Sequence, residues 1–161
     1  MIFYDECNTI IGYLHFIFKE NGLLEQVVLN DDHWRALVTK HKVKRNHGVG
    51  NPICQQFQEY IHGDRKQIDV PFELTGTPFQ RQTWTALRSI PFGETRSYSE
   101  IATVVGKPKA TRAIGRACAV NPLPILIPCH RVIGKNRALT GYAGGTDRKR
   151  QLLLIEGVKI Y

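Results

Sequence analysis

Apolar residues crowd both sides of a polar turn in the stretch "YLHFIFKENGLLEQVVL". The turn centres on Asn21-Gly22, a pair that tolerates tight reversal, so the pattern predicts a β-hairpin. The period then changes. In "NPICQQFQEYIHG", Ile53, Phe57, Tyr60 and Ile61 fall on one helical face. Asn51 can cap this helix, Pro52 suits its first turn and Gly63 can end it. "QIDVPFEL" reads as a further strand, at a sheet edge because Pro71 has no N–H to give. "HKVKRNHGVG" has no clear period and reads as an irregular loop with solvated histidines.

From residue 76 onward the pattern becomes helical and heavily punctuated. "TPFQ" is a capping box with Pro78 in the first turn, and it predicts a helix to about Ile90. "PFGET" turns the chain. "SYSE" is a second capping box, and its helix ends near Gly106. "KPKATRAIGRACAVN" predicts a helix that starts with Pro108 in the first turn and runs to about Asn121. Two short helices joined by a tight turn form a helix-turn-helix. The second is a slim rod: Ala110, Ala113, Gly115, Ala117 and Ala119 leave room for close approach, and Arg112 and Arg116 supply charge. Prolines 122, 124 and 128 then forbid regular helix, and Ile125, Leu126 and Ile127 bury the segment.

The expected fold class is α+β. A small N-terminal α/β domain with its linker occupies residues 1–75. A mainly helical C-terminal domain containing the helix-turn-helix occupies residues 76–161. The hydrophobic fraction of 42% and charged fraction of 22% suit a globular protein. The opening "MIFYDECNTI" has no basic n-region, and the apolar run "IIGYLHFIF" is too short to span a bilayer. The four cysteines form no C-x-x-C pair and no zinc-finger spacing. A soluble intracellular protein with reduced thiols is expected, with Cys7 and Cys54 as small core hydrophobes.

Charge separates the two halves. Residues 1–75 hold 8 Lys/Arg against 10 Asp/Glu, and residues 76–161 hold 14 against 4. A strongly basic C-terminal half points to a polyanion, and nucleic acid fits better than membrane because no basic amphipathic helix stands out.

The candidate chemistry lies in "IPCHRVIG". Cys129 follows a rigid apolar entry and precedes His130. This motif, with "FGETRSYSEIA", "KATRAIGRACAVNPLPILIPCHRVIG" and "TGYAGGTDRKRQLLLIEG", resembles the O6-alkylguanine-DNA alkyltransferases over residues 78–157. The N-terminal half is similar only in general character; the family has a small ribonuclease H-like sheet there. Some relatives carry zinc in that domain, but no matching Cys/His set occurs here, so neither metal nor other cofactor is expected.

The resemblance implies DNA repair by a suicide acceptor. A thiolate of Cys129 would take the alkyl group from guanine O6, and also from O4-alkylthymine, once per molecule. An ordinary thiol needs a base or a positive environment to ionise. Neighbouring side chains diverge in extended chain, so a bridging water would link Cys129 to His130, with Glu156 orienting the histidine. Asn121 would brace the turn. Tyr98 would donate to the leaving base and crowd the phosphate of the flipped nucleotide. Tyr142 and Gly144 belong to a loop closing over the base, and the backbone N–H of Ala143 would face the guanine oxygen. Carbonyls of Cys129 and Val132 would read the exocyclic amine, while Pro124 and Cys118 line the apolar wall.

Attack in line requires an extruded nucleotide. Arg112 would fill the vacated stack, and Ala113 and Gly115 would let the helix enter the minor groove of double-stranded DNA with little sequence preference. The expected protein is a monomer, cooperative on DNA and cytoplasmic (nucleoid-associated in a prokaryote, nuclear in a eukaryote), with no membrane partner. Three other readings compete. An alkyltransferase-like lesion binder would lack the motif cysteine, a helix-turn-helix regulator would leave Cys129-His130 without a role, and a Cys-His hydrolase would turn over repeatedly.

Overall fold

The structure is a computed structural model that describes residues 2–139, 142 and 144–160. The chain forms two compact units, Met1–Leu74 and Thr75–Tyr161. No helix among the described residues is long and apolar enough to cross a membrane.

The first unit is built on a four-stranded sheet of order β3-β2-β1-β4. The expected hairpin is β2 (Gly12–Lys19) and β3 (Leu24–Val28), paired antiparallel around the Asn21-Gly22 turn. Its partner β1 (Ile2–Thr9) pairs antiparallel with β2, from Ile2 opposite Lys19 to Thr9 opposite Gly12. Sequence pattern hides β1 because its buried face carries Phe3, Asp5 and Cys7, with a carboxylate in the middle. Asp5 is fully buried and accepts from Arg45 Nε and His47 Nδ1, each at 3.0 Å. Those partners satisfy the charge that burial strips of water.

Both partners come from the stretch read as an irregular loop, and that reading is corrected. Val43–Arg45 forms β4, parallel to β1. Helix α2 begins at His47 and runs to Ile61. Asn46 rather than Asn51 is its cap, accepting from Val49 N at 3.1 Å, so Pro52 lies inside the helix. Gly50 lets α2 approach β1: a Cβ there would stand 2.2 Å from Asp5 Cβ. The predicted apolar face is correct, with Ile53, Phe57, Tyr60 and Ile61 buried and Phe57 packed on Phe16 at 4.8 Å between ring centroids. Helix α1 (Asp31–Lys40) has no buried residue and therefore no stripe to detect. Its cap Asn30, acidic first turn and basic last turn fit the helix dipole instead.

"QIDVPFEL" is not a regular strand. It makes one bridge, Leu24 with Phe72, with bonds from Leu24 N to Pro71 O and from Glu73 N to Leu24 O. Pro71 cannot donate, so the ladder stops there. The expectation of reduced thiols in this unit also fails. Cys7 on β1 and Cys54 on α2 are joined by a disulfide, with Cα atoms 5.6 Å apart. The two are 47 residues apart, and only the packing of α2 on β1 brings them together.

The second unit follows its punctuation closely. Helix α3 (Pro78–Arg88) carries the predicted capping box of Thr77 and Gln80. β5 (Arg96–Ser97) leads into α4 (Tyr98–Val104), whose box joins Ser97 and Glu100. Helix α5 spans Thr111–Ala119, so Pro108 lies in the preceding turn rather than in the first helical turn. A 3-10 turn at Cys129–Arg131 leads into β6 (Val132–Ile133), which pairs parallel with β5. Helix α6 (Thr146–Ile155) closes the unit.

Reduction of the Cys7–Cys54 bond, which closes 47 residues of chain, should lower stability by about 4 kcal/mol on the loop-entropy model. Urea unfolding with and without dithiothreitol measures this, and Cys54→Ala must abolish the difference between the two conditions.

Candidate active site

The scaffold that holds the site begins with Trp84. Its Nε1 donates to Ala117 O at 3.0 Å, tying α3 to the end of α5 in the core. Helix α5 ends there, and the proline-rich segment must turn back toward the interior. Ile125 takes φ 76°, a left-handed conformation that a β-branched residue adopts only under constraint. Asn121 supplies the constraint. Its Oδ1 accepts from Leu123 N at 2.9 Å, while its Nδ2 donates to Ile127 O at 2.9 Å and to Cys129 Sγ at 3.1 Å. Leu123 O also accepts from Ile127 N, and Pro124 bridges to Ile127. The turn that presents the cysteine is thus locked from within.

Cys129 is 2% exposed. Burial pushes its thiol up to about 11, opposed by the Asn121 bond and by the charge of Lys149. Cys118, on α5, is also a buried thiol, pushed up to about 12 chiefly by burial. His130 is wholly buried, and its Nε2 stands 2.7 Å from Glu156 Oε2. A carboxylate only accepts, so Nε2 carries the proton and Nδ1 is the basic nitrogen of the neutral ring. Burial lowers the basicity of His130, against the pull of Glu156.

Glu156 follows α6 as its C-cap and is 6% exposed. It accepts from more than His130. Arg131 forks onto it, Nε to Oε1 at 2.8 Å and Nη2 to Oε2 at 2.9 Å, and Gly93 N donates to Oε1 at 3.1 Å. The remaining arm of Arg131 donates to Ile90 O at 2.7 Å. Sequence reasoning gave Arg131 no role. It sits within the "PCHR" core, and the signal for it is a cation beside a nucleophile in an otherwise apolar run.

Sequence reasoning also missed Lys149. It is 1% exposed on α6, and its Nζ donates to Val132 O at 2.6 Å and lies 5.8 Å from the Tyr98 ring centroid. Of the carbonyls expected to face a base, Val132 O therefore already accepts from Lys149, and Cys129 O accepts from Val132 N. Each oxygen keeps a second lone pair.

The other expected site residues fall as follows. Tyr98 opens α4 and is half-buried; a Cβ on Gly115 would stand 3.9 Å from its Cε1. Tyr142 is buried, and its ring meets His130 edge-on at 6.5 Å. Gly144 is half-buried, and Ala143 lies outside the described residues. Pro124 and Cys118 are buried. Arg112 and Arg116 are exposed at i, i+4 on α5, with Ala113 and Gly115 half-exposed beside them.

Fold and site define a helix-turn-helix unit that carries a braced, buried cysteine next to a His–Glu–Arg cluster. The comparisons with known proteins agree with this class. The family model "6-O-methylguanine DNA methyltransferase, DNA binding domain" matches residues 78–158. The constitutive methylated-DNA–protein-cysteine methyltransferase of Bacillus subtilis is 45% identical over 98% of this chain and 97% of its own length. The methylated-DNA–protein-cysteine methyltransferase of Methanosarcina barkeri is 50% identical over 96% and 97%. A crystal structure of the Mycobacterium tuberculosis O6-methylguanine methyltransferase superposes with TM-score 0.88 at 38% identity, covering 97% of this chain and 93% of that one. A structure of the enzyme from the same organism in complex with DNA gives 0.85 at 38% identity, covering 95% and 91%. The chain belongs to the 6-O-methylguanine DNA methyltransferase family.

Removing one partner of a buried ion pair costs about 3–5 kcal/mol, because the other charge is stranded. Arg131→Met should lower stability by that order in urea unfolding. Adding Glu156→Gln should cost less than the sum of the single losses, since the neutral amide no longer needs the guanidinium.

Proposed function

We propose that this chain repairs DNA by moving one alkyl group, once, from O6 of guanine to Sγ of Cys129. The observation that carries the reading is a cysteine braced by Asn121 beside a histidine bonded to a buried carboxylate, on the segment the family model matches. The sulfur electron pair forms the S–C bond as the C–O bond breaks. The electrons of that bond pass to the guanine, whose ring nitrogen takes a proton supplied at Tyr98. His130 receives the thiol proton at Nδ1 through a water, while Glu156 holds its Nε2 proton. The thioether formed has no leaving group, so the protein is spent.

Tyr142, Gly144 and the backbone N–H of Ala143 would close on the base. Second lone pairs of the Cys129 and Val132 carbonyls would meet its exocyclic amine, against a wall of Pro124 and Cys118. O4-alkylthymine would enter the same pocket. Helix α5 would enter the minor groove with little sequence preference, Ala113 and Gly115 allowing close approach and Arg112 filling the gap left by the flipped nucleotide. The working species would be a cytoplasmic monomer, cooperative on DNA.

The decisive experiment mixes the full chain with duplex DNA carrying O6-methylguanine and maps methyl gain by peptide mass spectrometry. Transfer should saturate at one group per protein, on Cys129, and Cys129→Ser should abolish it while DNA binding remains. Repeated turnover, or methyl gain at Cys118, would overturn the reading.

Arg112 separates flipping from chemistry. Unstacking a base costs on the order of a few kcal/mol. Arg112→Ala should therefore slow duplex repair at least tenfold yet leave the reaction with free O6-benzylguanine nearly unchanged. Arg112→Lys, which keeps the charge, controls for phosphate binding. Equal loss on both substrates would place Arg112 in the pocket or the fold.

A further inference from the structure

Lys149 is a buried cation that the reaction outlined above does not use. Burial of an ammonium is expensive unless an opposite charge faces it. The side chain is anchored, with Nζ 2.6 Å from Val132 O on β6. The ammonium lies 5.8 Å from the Tyr98 ring centroid, and its anchor Val132 donates from N to Cys129 O, so Lys149 is tied to the turn that carries the cysteine; its charge acts on Cys118, Cys129 and His130. The carboxylate of the His130 cluster, Glu156, is already forked by Arg131 and bonded by His130. Among the described residues, the charges of the Cys129 and Cys118 thiols act on Lys149, and of the two Cys129 has Asn121 donating to its sulfur.

His130 is poorly suited to the same duty. It is wholly buried, burial works against its charged form, and the charges of Arg131 and Lys149 oppose it further. A neutral His130 can take the thiol proton but supplies no positive charge that favours ionisation beforehand.

We propose that Lys149 is the resident counter-cation of the Cys129 thiolate, a positioning residue that holds positive charge beside the sulfur from its anchor on the Val132 carbonyl. This rests on Cys129 being the alkyl acceptor. Lys149 neither gives nor takes a proton in the step. The thiol proton leaves toward His130, the sulfur pair forms the new S–C bond, and the ammonium stays charged throughout. Lys149 itself is lowered to about 8 by burial and raised by Cys129 and Cys118, so the pair titrates as a unit.

The test uses the full chain and iodoacetamide labelling of Cys129 against pH, read at the Cys129 peptide. Lys149→Met keeps the length of the side chain and removes its charge. It should move the labelling midpoint up by at least one pH unit, a tenfold slower reaction below the midpoint. Lys149→Arg should stay within about threefold of the parent. A purely structural lysine would give both variants the same loss of rate with an unmoved midpoint, and that result overturns the proposal. A second measurement needs no variant. Capping Cys129 with iodoacetamide removes its negative charge, so the Lys149 ammonium, followed by NMR of its ε-position, should titrate at lower pH than in the uncapped protein. An identical midpoint before and after capping also overturns the proposal. Absence of methyl gain from O6-methylguanine DNA, with both shifts present, would remove the repair reading and leave the ion pair standing. Methyl gain without either shift would do the reverse.

Discussion

The carboxylate of Glu156 is the point on which the second unit depends. It draws donors from two stretches of chain, Gly93 after α3 and His130 and Arg131 in the turn that carries the cysteine, while it sits itself at the end of α6. A buried charge with four hydrogen bonds is specific in a way that apolar packing is not, because each donor has one direction. It fixes the tautomer of His130, the orientation of Arg131 and the closure of α6 on the core. The cysteine is then positioned relative to these groups by the separate lock of Asn121.

The two locks divide the work. Glu156 sets which histidine nitrogen is basic, and Asn121 sets where the sulfur lies. Burial opposes ionisation of the sulfur, and the Asn121 amide and the charge of Lys149 work against that penalty.

Legibility in the sequence followed the kind of force at each position. Both capping boxes of α3 and α4 read directly, because a hydroxyl and a Glu or Gln three residues apart is a local signal. Cys129, His130 and Glu156 were legible through a family motif rather than through spacing. Lys149 was not, since "DRKRQ" looks like a solvated basic run and Arg150 beside it is in fact exposed. Only the facing turn, far off in sequence, distinguishes the buried lysine. In the first unit, β1 was masked by buried Asp5, α1 has no apolar face, and the Cys7–Cys54 bond depends on a tertiary contact that spacing does not encode. Asn46 and Asn51 both offered caps for α2, and the choice was made by β4, which ends just before Asn46.

Ile125 carries the last consequence. A left-handed β-branched residue costs about 1–3 kcal/mol, held here by the surrounding bonds. That cost is met when the chain folds, and the bonds from Asn121 to Leu123 and Ile127 hold the turn thereafter. The same side chain donates to the sulfur, so whatever loosens the turn displaces the cysteine with it.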